Sequence, residues 1–438
     1  MISRRLRYVF TTCTALALVS IAAQASAQQP AQAEQEGESL EPIVLKGKRP
    51  TKAGDLESTP TATETTEAQL EQKQVQSIED LGRTIDPGVN FNRATKSLNI
   101  RGLEGNRVTT LVDGIPLSYL SDGARSTAGG ADSVDFFSLT TVNVVKGADS
   151  SRIGDGALGG ALVLRTLEPE DLIGEGKDWG GKVGVTYDSM DNSRFGGAAV
   201  AKKIQNTSVL FLGTYKKGDE RDNRGDVGGY GPLRTKTNPA DYDQYNLLFK
   251  LRQDTDSGHR FGITAEHFDF DKDIDLKQAQ TPTGNYRPGD HSSGEENKRT
   301  RVSLDYEYEA PSMDGLIDAA EATLYWQRQE RVDSQDSYRW TSVRGVFKRN
   351  NEISESGVGF NGFFDAGLDA GSVNHTFTLG TSMFFSKAEQ YSAGVDLVHA
   401  YYLSVSALQH AAHQPVRHAG CRQLEGQRLC AGPDDIRR

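Results

Sequence analysis

Residues 181–386 break into ten segments of strand length, and this repetition constrains the fold more than anything else in the chain. They are Gly181–Met190, Arg194–Lys202, Thr207–Lys216, Tyr242–Arg252, Arg260–Asp269, Thr300–Glu309, Ala320–Arg331, Arg339–Lys348, Glu352–Phe364 and Asn374–Ser386. Several alternate with period two. In Val302–Tyr308, Val302, Leu304, Tyr306 and Tyr308 share one face, and Ser303, Asp305 and Glu307 share the other. Successive side chains of a strand point to opposite sides, so such a segment is apolar on one face only. Between the segments lie tight turns and long polar loops such as Gly218–Ala240 and Lys272–Lys298. Strands of about ten residues, dyad alternation and unequal loops mark an antiparallel transmembrane β-barrel. A mean hydropathy of −0.55 is compatible with this, because half of each barrel strand faces water. A soluble β-sandwich or propeller is the competing architecture. Ten strands leave two edges, and strands in lipid need closure to satisfy their backbone groups.

The N-terminus reads as an export leader over residues 1–27. Arg4, Arg5 and Arg7 precede an uncharged apolar stretch, and Ala25-Ser26-Ala27 supplies a small-residue cleavage pattern. The apolar stretch is short for a membrane span of about 20 residues. Without the leader's three arginines the net charge of −11 becomes −14, which argues against a nucleic-acid partner. Cys13 lies in the leader, and Cys421 and Cys430 near the end, so no disulfide framework organises the chain between them. Gln28–Glu38 is low-complexity and reads as disordered. Within this flexible segment, 28–57, the word Glu41-Pro42-Ile43-Val44-Leu45-Lys46-Gly47 suits strand addition to a partner's sheet edge.

A different set of words fills residues 97–166. Ser97–Arg101 and Arg107–Val112 are short β-prone runs bounded by Gly102, Gly105 and Asp113-Gly114. Val142–Lys146 and Ala161–Thr166 follow, separated by a Gly-rich stretch. Upstream, Gln69–Ile85 carries a helical stripe of Leu70, Gln74, Ile78, Leu81 and Ile85. The words NIRG, VDGIP and VNVVKGADSSRIGDGALGGALVLRT, in this order, resemble the plug domain of TonB-dependent outer-membrane receptors. The ending Leu-Arg-Thr-Leu-Glu-Pro-Glu-Asp-Leu is most similar to the haem/haemoglobin branch.

The resemblance implies an α+β plug at 58–170 and the first part of a barrel at 171–397, the complete barrel having about 22 strands. It makes Glu41–Gly47 the TonB box, offered to the TonB energy-coupling protein, and places the protein in the outer membrane of a Gram-negative bacterium, among its lipids. It implies a receptor and not an enzyme, with haem as transported ligand and no permanently bound cofactor or metal. Haem or haemoglobin is then the external partner. A ferric-siderophore receptor, a passive porin or adhesin, and a non-functional truncated fragment are the alternatives. The plug words and the TonB box speak against the porin.

Gly154-Asp155-Gly156-Ala157-Leu158-Gly159 fits G-x-G-x-x-G. A β-prone run follows it rather than a helix, so the glycines read as tight turns and close packing of plug against barrel, not as a nucleotide site. Arg101, Gly102, Glu104, Asp113 and Gly114 read as the structural core of the plug, the charges pairing to fix strands and turns. The plug contains no histidine. Tyr119, on the stretch Leu117–Val134, and His291, on the loop Lys272–Lys298, are therefore the candidate haem ligands. His259 and His267 flank a strand and read as facing water or the lumen.

Residues 398–438 read as a disordered or non-native tail. Alternation stops, four of the eight histidines fall from His399 onward, and the chain ends Asp-Asp-Ile-Arg-Arg. A shift of reading frame near 397 is the expected cause.

Overall fold

The computed structural model describes residues 62–124, 126–148, 153, 156–311, 317–341, 344–370, 373–397, 421–424 and 427–430. The leader and the proposed TonB box at Glu41–Gly47 lie outside the described residues.

The plug begins with β1 (Ala62–Thr66), α1 (Glu67–Gln72) and α2 (Ile78–Thr84). The single stripe expected over Gln69–Ile85 is thus two helices. Gln74 takes a φ of 53°, which ends the first, and Ser77 caps the second by accepting from the Asp80 N–H. Leu70, Ile78 and Leu81 still point inward together.

Next come β2 (Val89–Asn92), β3 (Ser97–Ile100) and β4 (Leu103–Glu104), which form a small sheet of their own. β5 (Val108–Val112) and β6 (Ile115–Pro116) make a hairpin. Asp113 and Gly114 form its two-residue turn with φ of 49° and 75°, a geometry that Asp-Gly favours. β7 (Leu120–Asp122) pairs with β8 (Thr127–Gly129). β9 (Leu139–Lys146) and β10 (Gly160–Thr166) complete the main sheet, in the order β1-β9-β10-β5-β6.

β10 runs parallel to β5 and antiparallel to β9. It is central and covered on both sides. Val112, Val142, Val144, Leu162 and Leu164 pack into one cluster; Leu111, Val145, Ala161 and Val163 pack into another. Each fully buried valine or leucine contributes about 1.5–3 kcal/mol. The Gly-rich stretch serves this packing. A Cβ at Gly160 would stand 2.2 Å from the Val145 carbonyl oxygen, and one at Gly159 2.6 Å from Leu103 Cβ. The close approach expected between plug and barrel is here within the plug itself.

After α3 (Pro169–Leu172) the chain enters an antiparallel sheet of nine long strands. They are β11 (Trp179–Asp188), β12 (Ser193–Ile204), β13 (Thr207–Asp219), β14 (Ala240–Asp254), β15 (His259–Asp275), β16 (Tyr286–Glu309), β17 (Ala319–Trp340), β18 (Arg344–Ala370) and β19 (Val373–Asp396). Each pairs with its sequence neighbours. Of 398–438, the described residues form the hairpin β20 (Cys421–Leu424) and β21 (Gln427–Cys430), joined to β19 at Lys387 and Ala388.

The register gathers the apolar residues into rows. Val209, Leu251, Ile263, Leu304, Leu324, Phe360 and Met383 are successive partners from β13 to β19, and Phe211, Phe249, Ala265, Val302, Trp326, Val358 and Phe385 form the adjoining row. Most of these side chains are exposed: this is the outward face and its apolar band. Two positions further along each strand the row reads Gly213, Leu247, His267, Thr300, Arg328, Ser356 and Lys387, and the next includes Asp269, Lys298, Glu330 and Glu389.

Beyond that border both faces of the sheet are polar, and alternation no longer marks strands. This explains two corrections. The loop expected over Lys272–Lys298 is largely strand, with only 276–285 connecting β15 to β16. Arg339–Lys348 is not one strand: Arg339 and Trp340 end β17, Arg344–Lys348 open β18, and the polar run that follows joins them to Glu352–Phe364 in one element. Nine long strands therefore replace the expected ten.

Candidate functional site

The inward face of the sheet meets the plug; apart from an apolar patch of Ala199, Ala201, Leu210, Leu212 and Leu248, its residues are mostly polar. Alternation on β16 sets Arg299, Arg301, Ser303 and Asp305 opposite the apolar Val302–Tyr308 row, and Arg299 and Arg301 are fully buried. β14 contributes buried Lys250 and Arg252, and β15 contributes buried Glu266.

These charges converge on the Asp113-Gly114 turn and the plug's exit. Arg301 Nη2 lies 2.6 Å from Asp113 Oδ2, and Lys250 Nζ lies 3.6 Å from the same oxygen. Arg301 Nη1 donates to the Val112 carbonyl at 3.0 Å. Asp113 also accepts from the Thr166 N–H at 2.8 Å and the Thr166 hydroxyl at 2.6 Å, so one carboxylate joins the hairpin, the end of β10 and the wall. Glu168, two residues on, takes Lys250 at 2.7 Å and receives a two-pronged contact from Arg252, at 2.8 and 2.9 Å. Within the wall, Glu266 Oε2 pairs with Arg301 at 2.6 Å and Arg299 at 3.0 Å, and Asp305 pairs with Arg252 at 3.2 Å. Lys250, Arg252, Arg299 and Arg301 are thus matched by Asp113, Glu168, Glu266 and Asp305.

Burial opposes ionisation of Asp113, but the charges of Lys250 and Arg301, with the Thr166 hydrogen bonds, outweigh it and hold the carboxyl far below the usual range. At Glu168 burial is likewise overcome by Lys250 and Arg252, and the value falls to about 2. Asp135 is the opposite case. Burial dominates there and pushes the carboxyl up, despite hydrogen bonds from Thr214 and the Phe137 N–H.

Most of the remaining bonds across the seam run from wall donors to plug acceptors, whereas Lys96 of the plug pairs with Glu295 of β16 at 2.8 Å. Gln327 Nε2 reaches the Pro116 carbonyl at 2.9 Å, Asn361 Nδ2 the Gly114 carbonyl at 2.7 Å, and Gln329 Nε2 the Gly130 carbonyl at 2.6 Å. Arg299 Nε donates to the Ser133 carbonyl at 2.9 Å, Asn297 Nδ2 to Asp132 Oδ1 at 2.9 Å, and Thr214 Oγ1 to Asp135 Oδ2 at 2.6 Å. Apolar contacts also cross the seam, Leu167 packing with Leu210, Leu212 and Leu248. The Phe137 ring sits over the cross-strand glycines Gly184 and Gly197, where added Cβ atoms would stand 2.6 and 2.9 Å from it. Phe195 packs at 5.4 Å between ring centroids, and Lys182 Nζ lies 4.4 Å from the centre of the Phe137 ring.

Of the residues singled out in the sequence, Asp113 and Gly114 belong to this site. Arg101 and Gly102 are exposed in the turn between β3 and β4, and Glu104 accepts from Asn92 Nδ2 at 3.1 Å; the pairing partners of Asp113 come from the wall instead. Tyr119 is half-buried and donates to the Thr95 carbonyl at 3.4 Å. Burial and the nearby Glu104 push its hydroxyl pKa up. His291 is not on a loop. It lies in β16, 5 % exposed, with its ring stacked 3.8 Å from that of Tyr286. His259 and His267 are half-buried and bonded to Tyr306 and Thr300. Arg299, Arg301, Lys250, Arg252, Glu266 and Glu168 went unnoticed in the sequence. The alternation of Val302–Tyr308, carried two steps toward the N-terminus on its polar face, marks Arg301 and Arg299.

Residues 55–161 match the family described as TonB-dependent Receptor Plug Domain. Over 236 residues the chain is 33 % identical to lactoferrin-binding protein A of Neisseria meningitidis serogroup B, covering 49 % of this chain and 24 % of that protein. Over 350 residues it is 26 % identical to hemoglobin-binding protein A of Haemophilus influenzae, covering 72 % of this chain and 34 % of that protein. The chain therefore spans about a quarter to a third of the length of these relatives. Among solved structures it is similar to the FrpB iron transporter from Neisseria meningitidis, with a TM-score of 0.51, 17 % identity, and coverage of 76 % of this chain and 64 % of that one. With a matched plug at residues 55–161 bonded to the inward face of a long-stranded antiparallel sheet, the chain is similar to the TonB-dependent receptors in sequence over its plug and in fold over the strands that follow.

Proposed function

We propose that this chain serves active uptake of haem, free or taken from haemoglobin, across the outer membrane, with the TonB protein drawing on Glu41–Gly47. The observation that carries the reading is the mode of plug attachment. Asp113 and Glu168 bind the wall through Arg301, Lys250 and Arg252, while the rest of the seam is made mainly of single hydrogen bonds with scattered ion pairs such as Lys96–Glu295 and Lys182–Glu67. Such a plug is held firmly at rest yet is separable piece by piece by a pull on its N-terminus. β1, the first described element, lies at the edge of its sheet and, among the described residues, pairs as a strand with β9 alone. Relatives named for binding haemoglobin support haem as cargo. Relatives named for binding lactoferrin and transferrin favour a second reading, in which iron itself is taken from a carrier protein. Tyr119 is the better placed haem ligand of the two candidates, because His291 is enclosed by its own hairpin.

The test is Val44→Pro. Proline removes a backbone donor that strand addition requires, so uptake of haem in cells is abolished while surface binding persists. Undiminished uptake by this variant sinks the proposed coupling.

A further inference from the structure

On the outward face of β17–β19 the rows past the apolar band change character in a fixed order. The last apolar row is Trp326, Val358 and Phe385, all exposed. Two positions along each strand the row is Arg328, Ser356 and Lys387, and two further it is Glu330, Ser354 and Glu389. The first polar row thus holds cations and no carboxylate, and the carboxylates stand one step farther from the band. Rows two residues apart are about 7 Å apart along the strand. The opposite border of the band is built otherwise: its row on β16–β19 is Tyr308, Ala320, Phe364 and Leu379, without a charge. The charged border belongs to the end of the sheet that carries the long connection 220–239, the outer side of such barrels.

The middle strand makes this border a slot. β18 supplies only Val358, Ser356 and Ser354 to the three rows, while its neighbours supply the long side chains. β17 and β19 lie about 10 Å apart, two strand spacings, so Arg328 and Lys387 flank a single serine. Arg328 Nη2 donates to Glu330 at 2.7 Å, and Lys387 pairs with Glu389. Both pairs run along one strand rather than across the slot, and a guanidinium and an ammonium have further N–H donors for an anion.

We infer that this slot holds a phosphorylated glycolipid of the outer leaflet. One acyl chain lies on Val358 between Trp326 and Phe385, and a phosphate lies over Ser356 between Arg328 and Lys387. Sugar hydroxyls donate to Glu330 and Glu389. Charge complementarity selects this occupant. The phosphate of a lipid stands just above its acyl chains, at the depth of the cation row, and Arg and Lys are the side chains that bind it. A sugar ring supplies donors for the outer carboxylates, whereas a phosphate lipid without one would bring them only like charge. The inference goes beyond the uptake reading, since it concerns the membrane and not the cargo.

The test uses the full chain purified in detergent, with bound lipid counted by native mass spectrometry. The probes are lipid A (an acylated, bisphosphorylated sugar pair), lipid A stripped of its phosphates, and phosphatidic acid. The unmodified chain retains lipid A and loses the other two. The double variant Arg328→Ala, Lys387→Ala weakens retention of lipid A by about tenfold or more. Ser356→Phe keeps both charges but fills the slot, and weakens retention comparably. Lys217→Ala, on the same outward face at β13, changes it by less than about threefold. An unaltered limited-proteolysis pattern shows that each variant keeps its fold. Equal retention of phosphatidic acid, or unchanged retention of lipid A by either slot variant, overturns the inference. Lipid retention by a chain whose Val44→Pro variant still takes up haem removes the proposed coupling and leaves the slot standing.

Discussion

Arg301 of β16 binds Asp113 twice over: its Nη2 lies 2.6 Å from the carboxylate, and its Nη1 donates to the carbonyl of the preceding Val112. The arginine is fully buried and shares its third nitrogen with Glu266. A barrel residue thereby reads the shape of a plug turn as well as its charge.

Asp113→Asn keeps the turn but removes the charge facing Arg301 and Lys250. Breaking one side of a buried pair costs about 3–5 kcal/mol. The plug then becomes more susceptible to protease, and hydrogen exchange of β5, β6 and β10 accelerates. Exchange equal to that of the unmodified chain would show that the pair adds nothing to plug seating.

Asp135 responds in the opposite sense. Its carboxyl is raised by burial, so its stabilising protonated form prevails below the ordinary carboxylate value and is lost as pH rises through the folded value. At neutral pH, Asp135→Asn costs under about 1 kcal/mol, the amide and the Thr214 hydroxyl exchanging donor and acceptor roles. Thermal unfolding of both variants at one pH checks the contrast. A loss at Asp135 as large as that at Asp113 contradicts it.

Acid releases the plug only late. Glu168 lies at about 2 against an ordinary 4.5, and Asp113 lies well below its ordinary value. Lowered values contribute stability above the ordinary range, and this is lost as pH falls through the folded values. Protease protection of the plug is therefore level between about pH 7 and about pH 5 and collapses only in stronger acid. Loss of protection near pH 5.5 (about one unit above the ordinary glutamate value) would place control elsewhere.

Gly184→Val drives a side chain into the Phe137 ring and costs about 1–3 kcal/mol. Adding Phe137→Ala makes room and recovers part of that loss. Thermal melts of the single and double variants measure the coupling; strictly additive losses would mean that the socket does not hold the ring.

Where one face of a strand met the apolar band and the other the plug, the sequence was legible. Val302–Tyr308 announced its strand, and Asp113-Gly114 its turn. Past the band the signal vanished, because residues such as Ser292–Lys298 are polar on both faces while their backbones remain paired with β15 and β17. The latch was half-visible for a related reason. Asp113 stood out within a recognisable word, but Arg301, Lys250 and Glu168 are 188, 137 and 55 positions away; the register of β14–β16 brings the first two to it, and the parallel pairing of β10 with β5 brings the third alongside. Arg101 was misjudged because nearness in sequence suggested pairing, whereas its turn points it into solvent.

The bias of the seam, wall donors facing plug acceptors at most positions, has a consequence for the wall once the plug is displaced. The plug would take its carbonyls, Asp113 and Glu168 with it. Around the Asp113-Gly114 turn the wall would keep Lys250, Arg252, Arg299 and Arg301 beside Glu266 and Asp305, together with the amides of Asn297, Gln327, Gln329 and Asn361; nearer Lys96 it would keep Glu295 and Asp333 beside Arg331. The stretch of wall so uncovered around Arg301 is electropositive and rich in donors, and the side chains that had held the plug would be the ones it exposes.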